Sequence, residues 1–319
     1  MGKLIQLTNK GRTYMEDYII RAIDDSKSVR IFIARTTNMV QEIRDIHHTS
    51  ATASAAMGRL ATMAALMGIN LKSDGDSLTL KVDGNGIGGR MTGVSDSKAN
   101  VRILAENPQA DCPANDKGKL DVRKFVGDQG QIAIIRDFGL KEPYTGLSEI
   151  VSGEIAEDFA NYFFYSEQTP TVVSLGVLVD TDLSIKAAGG IFVQIMPDAS
   201  DQVITSLEEI VKKLDPVSSM IDRGLSPEGI LEEYFSEMSP EVLSRQEVSY
   251  KCNCSREKIE SALISIGSKD LGHILEEDGK AEIVCDFCGK KYDFSGEDLE
   301  ALLKEARASK KYNFIEMEQ

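Results

Sequence analysis

The sequence predicts an α+β protein: a mixed α/β core domain over 15–197, an acidic helical linker over 198–245 and a small C-terminal domain over 246–319. Three observations carry this. Runs of β-branched residues come in clusters separated by helical stretches, rather than in the strict alternation of a doubly wound sheet. Acidic charge and prolines gather in one stretch after Asp198. Finally, four of the five cysteines crowd into "YKCNC" (Tyr250 to Cys254) and "VCDFCGKKY" (Val284 to Tyr292).

Within the core, "HTSATASAAMGRLATMAALMG" (His48 to Gly68) is rich in Ala, Leu and Met and predicts a tightly packed helix with Gly68 as its C-cap. Strands are predicted at Ser77 to Val82, Val101 to Glu106, Ile132 to Phe138, Val172 to Asp180 and Gly189 to Met196, each bounded by Gly, Asp or Pro. Gly153 to Gln168 reads as a helix with Ile155, Phe159, Tyr162 and Phe163 on one face.

Two motifs in this region mislead. "GNGIGG" (Gly84 to Gly89) matches the dinucleotide fingerprint by letter, yet no helix N-terminus follows to receive a pyrophosphate. The strand-like "RMTGVSDSKANVRIL" follows instead, so a glycine-rich turn is expected. His47 and His48 suggest a metal or catalytic pair, but neighbours on a helix point about 100° apart. A helix-end or surface pair is expected. There is no G-x-S-x-G, P-loop or H-E-x-x-H motif, and nothing in the first two hundred residues commits the chain to catalysis. We therefore expect a protein that is not an enzyme.

From Asp198 to Glu247 there are twelve acidic and four basic residues, a net of −8. Val203, Leu207, Ile210, Val211 and Leu214 recur at helical spacing. Ser226 and Ser239 stand where N-caps belong, with Pro227 and Pro240 at the first helical position. Helices this short are marginal alone in water, so their apolar stripes must lie on another surface.

Composition excludes several classes. The chain has 319 residues, 42% of them hydrophobic, enough for one sizeable core and something smaller. No apolar run approaches the roughly 18 to 20 residues of a membrane span, and the polar N-terminus does not read as a signal peptide. A cytoplasmic location with reduced thiols is expected. The net charge of −15 argues against general affinity for nucleic acid or anionic membrane.

The cysteines are then metal ligands or redox groups rather than a disulfide framework. Cys252 and Cys254 form C-x-C, and Cys285 and Cys288 form C-x-x-C. Two such pairs brought together give a tetrahedral S4 sphere suited to one zinc ion, closed to substrate or activated water. Gly289, just after the second pair, suits a knuckle turn that needs positive φ.

Few large apolar residues surround the site: Ile259, Leu263, Ile264, Ile266, Leu271, Ile274, Leu275, Ile283, Val284, Phe287 and Phe294. Structural zinc contributes on the order of 10–16 kcal/mol to folding such a module, so losing the metal should unfold it. Oxidation would expel zinc. Cys285 and Cys288 can pair readily, whereas a Cys252–Cys254 bond would be strained and easily reduced. Spacing alone does not separate a switch from an inert structural zinc.

These residues carry a resemblance. The cysteine arrangement with "CSREKIESALISIG" and "EDGKAEIVCDFCGKKYDFS" resembles the redox-switch domain of the 33-kDa chaperonin family, bacterial redox-regulated holdase chaperones. So do "ARTTNMVQEIRDIHHTSATASAAMGRLATMAALMG", "NPQAD…NDKGKLDV", "RDFGLKEPYTGLSEIVSGEIAEDFANYFFYSEQTP" and "AAGGIFVQIMP", which extend the likeness to nearly the whole chain from about Met15. "MEDYIIRA" resembles the usual start, which makes residues 1–14 an extension. Cys112 departs from the pattern, where an apolar residue is expected, and is read as a small buried or loop thiol.

The resemblance implies that Cys252, Cys254, Cys285 and Cys288 bind zinc as thiolates in a largely inactive reduced state. Peroxide with mild heat, or hypochlorous acid, would form Cys252–Cys254 and Cys285–Cys288 disulfides and release the zinc. The C-terminal domain and linker would then unfold and capture unfolding client proteins without ATP, largely as a homodimer. Client-gripping residues do not follow from it; candidates are the stripe from Val203 to Leu214 and the core surface beneath.

Three other readings compete. A nucleic-acid zinc ribbon would want a basic face, yet residues 246–319 hold sixteen acids against eleven bases. A thiol–disulfide oxidoreductase would want "CDFC" at a helix N-terminus in a βαβ unit, which is not predicted here. A constitutive binding protein with merely structural zinc is the third.

Overall fold

The structure, a computed structural model, describes the backbone of residues 15–316 and the side chains of 15–308; the extension over residues 1–14 lies outside the described residues. It divides into two compact units, one ending at Lys251 and the other beginning at Cys252. Among the described residues no helix is long and apolar enough to cross a membrane.

The first unit begins β1 (Tyr18–Ile23), β2 (Val29–Arg35), α1 (Thr37–His47) and α2 (Ala51–Gly68). It continues through β3 (Ser77–Gly84), β4 (Met91–Asp96), β5 (Asn100–Ala105), α3 (Val122–Val126), β6 (Gly130–Asp137) and β7 (Tyr144–Glu149). Then come α4 (Ala156–Tyr165), β8 (Thr171–Val179) and β9 (Ile185–Ile195). Helices α5 (Asp201–Lys213), α6 (Val217–Asp222) and α7 (Pro227–Phe235) follow, before β10 (Glu241–Glu247) and β11 (Ser249–Tyr250).

Strands cluster into two sheets, as the α+β reading predicts. One sheet runs β10-β1-β2-β9-β8 and is antiparallel throughout. The other runs β11-β5-β4-β3-β6-β7, with only β11 parallel to its neighbour. Helix α2 packs against strands of both sheets and buries nearly every residue, as a helix apolar on all sides must. Ser50, rather than His48, caps it, accepting from the Ala53 N–H at 3.1 Å. Gly68 is its last residue and Ile69 the C-cap, in right-handed rather than positive-φ geometry.

"GNGIGG" is the turn between β3 and β4, with no helix after it. His47 ends α1, and His48 is its exposed left-handed C-cap at φ +51°. The His47 ring turns to the Tyr250 hydroxyl, Nε2 to O 3.3 Å. Cys112 lies half-buried in the irregular stretch between β5 and α3, its thiol 3.6 Å from the Asp121 carbonyl.

The stripe from Val203 to Leu214 forms as read. Leu207 and Ile210 are buried, with Val203, Val211 and Leu214 packed beside them. With Val217, Met220, Ile221, Ile230, Leu231 and Phe235 they cover one face of the first sheet: Ile20, Ala22, Val29, Ile31, Ile33, Ile191 and Val193. Ser226 caps α7 with Pro227 at its first position. The second expected helix start fails. Ser239 closes a short 3-10 turn at φ +46°, and the chain after Pro240 becomes β10, paired with β1 from Glu241 opposite Ile23 to Glu247 opposite Tyr18. An unpaired edge of β1 offers backbone partners along that whole length, which outweighs a local capping preference.

The second unit holds α8 (Arg256–Ile266), α9 (Ser268–Glu277), the hairpin β12 (Ala281–Val284) and β13 (Lys291–Phe294), and α10 (Gly296–Glu316). Its core gathers Leu263, Leu271, Tyr292, Phe294, Leu299, Leu302 and Leu303. Of the few large apolar residues of this unit, Ile266 and Val284 stay outside the core, 46% and 45% exposed. Arg256 ties three elements together: it pairs with Glu260 and Asp298, each at 3.0 Å, and lies 4.4 Å above the Phe294 ring.

Candidate metal centre

Cys252 and Cys254 occupy the irregular segment just before α8. Ser255 caps that helix by accepting from the Lys258 N–H at 3.3 Å, and Lys258 Nζ returns to the Asn253 carbonyl at 2.8 Å. These contacts fix the path of the chain through C-x-C. Cys285 and Cys288 lie in the turn between β12 and β13. The Cys285 carbonyl accepts from the N–H groups of Cys288 at 3.2 Å and Gly289 at 2.8 Å, while the Cys285 N–H donates to the Lys290 carbonyl at 2.9 Å. Gly289 takes φ +69°, the conformation a knuckle turn asks of it.

The four sulfurs converge, all within 4.8 Å of one another. Cys252 Sγ stands 3.7 Å from Cys285 Sγ, and Cys254 Sγ 3.4 Å from Cys288 Sγ. A tetrahedron with sulfurs about 2.3 Å from its centre has edges of about 3.8 Å, so the donor set fits a zinc-sized ion. All four thiols remain unpaired, with Cys285 buried and the other three half-buried. The group can therefore hold a metal ion.

The sulfurs are not equivalent. Burial pushes the Cys252 thiol well up. At Cys254 burial also works upward, but hydrogen bonds, first from Tyr292 and then from the other three thiols, outweigh it and bring the group down to about 7. The Tyr292 hydroxyl donates to Cys254 Sγ at 3.2 Å. Sequence reading passed over this tyrosine, although it ends "VCDFCGKKY". The signal available was alternation along β13, which buries Tyr292 and Phe294 and exposes Lys291 and Asp293.

Two sheets with interposed helices, joined in one chain to a small unit built around four thiols, define a two-part protein with a four-cysteine centre. A family model described as Hsp33 protein matches residues 17–295, and the chain belongs to that family. It is 46% identical over 288 residues to a 33 kDa chaperonin of Staphylococcus epidermidis, covering 90% of this chain and 98% of the relative. A 33 kDa chaperonin of Clostridioides difficile is 46% identical over 291 residues, with 91% and 100% covered. The crystal structure of the Thermotoga maritima 33 kDa chaperonin superposes with a TM-score of 0.83 at 38% identity, covering 91% of this chain and 98% of that one. Membership supports a chaperone function.

Proposed function

We propose that the protein is a redox-regulated, ATP-independent holdase that binds unfolding or oxidatively damaged proteins in the cytoplasm and keeps them from aggregating. The observation that carries this is the convergence of four unpaired thiols in a small unit, in a member of a chaperonin family. In the reduced state Cys252, Cys254, Cys285 and Cys288 hold zinc as thiolates. Bound zinc would supply the cross-link between the segment before α8 and the β12–β13 hairpin.

Oxidation undoes that cross-link. Each hydrogen peroxide takes two electrons from one thiolate pair and, with two protons from solvent, leaves as two waters, forming first one and then the other of Cys252–Cys254 and Cys285–Cys288. Disulfide sulfurs are poor ligands. Without its metal the small domain over 246–319 loses most of its folding free energy. The acidic linker over 198–245 then releases, uncovering the apolar face beneath α5, α6 and α7 for clients. The active form is a homodimer and uses no nucleotide.

Zinc release and free thiols are followed during peroxide treatment at mild heat, beside suppression of aggregation of an unfolding client. Loss of one zinc and four thiols in step with rising holdase activity is expected. Activity that stays constant while zinc leaves would reduce the site to a structural one.

A further inference from the structure

We propose that Tyr292 is a positioning residue of the thiol centre: its hydroxyl holds Cys254 Sγ as a metal ligand and blunts that sulfur's attack on electrophiles. This rests on reading the four cysteines as metal ligands.

For two of the other sulfurs the side-chain-independent partner is local backbone: the Cys254 amide works to lower the Cys252 thiol and the Lys290 amide the Cys288 thiol, each against the larger upward push of burial. Such amide donors come with the C-x-C and knuckle geometry and respond to no single side-chain substitution. Cys254 differs, because its donor is a side chain 38 residues away, at 3.2 Å. That hydroxyl is not free to wander. The Tyr292 side chain sits in the unit's core with the residue only 6% exposed, β13 holds it opposite Ile283, and the Lys290 ammonium lies 5.0 Å from its ring centroid.

A hydroxyl donating to a thiolate draws off part of the sulfur's charge and orients its lone pairs. A thiolate so bonded is a better-placed ligand and a poorer nucleophile. The same contact joins the strand after the C-x-x-C turn to the C-x-C segment, so one hydrogen bond links the two halves of the ligand set. When Cys254 enters a disulfide, its sulfur accepts weakly and this link is lost with the metal.

The test uses the full-length protein, reduced and zinc-loaded, as wild type, Tyr292→Phe and Lys290→Met. A brief pulse of limiting iodoacetamide forms a C–S bond at each reactive sulfur as iodide leaves, and peptide mass spectrometry reads each cysteine. Zinc affinity is measured by competition with a chromogenic chelator. In wild type, Cys254 should react more slowly than Cys288, which is also half-buried. Tyr292→Phe keeps the ring, and should raise Cys254 alkylation about fivefold relative to Cys285. It should also weaken zinc binding about tenfold, the usual effect of losing an outer-shell partner. Lys290→Met should leave both within about twofold, which assigns the effect to the hydroxyl rather than to the ring's seating.

An unchanged Cys254 to Cys285 ratio in Tyr292→Phe, in protein that still binds one zinc, overturns the inference and spares the metal site. So does a wild-type Cys254 that reacts faster than Cys288. Failure of wild type to bind zinc at all would instead remove the four-thiolate reading and this inference with it.

Discussion

Gly176 on β8 lies directly opposite Gly189 on β9, and the pair leaves a strip without side chains beneath α6. A Cβ at Gly176 would fall 2.9 Å from the Ser218 nitrogen, and one at Gly189 2.4 Å from Ile221 Cδ1. The helix therefore rests almost on the backbone of the sheet. Close packing of this kind is sensitive to a single methyl group.

Gly176→Ala should lift α6 and loosen the linker helices, at a cost of about 1–3 kcal/mol. On the proposed function, the reduced variant should bind more hydrophobic dye and hold more client than reduced wild type. Equal dye binding by the two proteins would show that α6 is not where the linker yields.

Tyr18 ties the start of β1 to the first turn of α7. Its hydroxyl donates to Glu228 Oε2 at 2.6 Å, and the Arg245 guanidinium of β10 lies 3.6 Å above its ring. Tyr18→Phe should cost about 1–2 kcal/mol, seen as a lower melting temperature of the first unit.

Burial, and then the Glu228 carboxylate that accepts its proton, push the Tyr18 phenol from the ordinary 10.0 up to about 12. The unfolded chain ionises this group near its ordinary value, while the folded unit keeps it protonated. Its stabilisation is therefore complete below pH 10 and is lost as pH rises towards 12. The difference in melting temperature between wild type and Tyr18→Phe should be largest at pH 8 and shrink between pH 10 and 12. A difference that grows with pH would contradict the assignment.

Removing the metal with a strong chelator under reducing conditions should unfold the small domain while the core sheets stay intact. Structural zinc is worth on the order of 10 kcal/mol to modules of this size. Amide NMR should show signals from α8, α9 and the β12–β13 hairpin collapsing to random-coil positions, while those of β3 to β6 keep theirs.

Phe294 is 1% exposed and stacks beneath Arg256. Phe294→Ala should cost about 3–5 kcal/mol. In so small a core that loss should appear as weaker zinc binding, measured by chelator competition, as well as a lower unfolding temperature. Unchanged zinc affinity would mean that the thiol cluster holds together independently of the core around it.

Short-range features were the legible ones. The α2 helix, the strands at Ser77, Val101, Ile132, Val172 and Gly189, and the cap at Ser226 sit where residue type and spacing put them, within a few residues. Sequence reading left β1, β2 and α1 unassigned, because Arg and Asp residues interrupt their apolar pattern and its meaning depends on which face is covered. The apparent helix start at Ser239 and Pro240 went astray for a related reason: β10 exists because β1, more than two hundred residues earlier, has an open edge.

By itself, the sequence determined that four thiols would be presented as two tight pairs, since one or two intervening residues hold each pair together whatever the rest of the chain does. It also determined, through Gly289, how the second pair turns, and through its charge and apolar stripe, that α5 would be an amphipathic helix seeking a surface. Only tertiary structure decided that the two pairs meet within 4.8 Å, that a tyrosine on the following strand donates to one of the sulfurs, and that the linker helices lie on a glycine-floored sheet. Contacts within a few residues are set by backbone geometry. Contacts across tens or hundreds of residues depend on strand register and on packing in three dimensions, which no local pattern encodes.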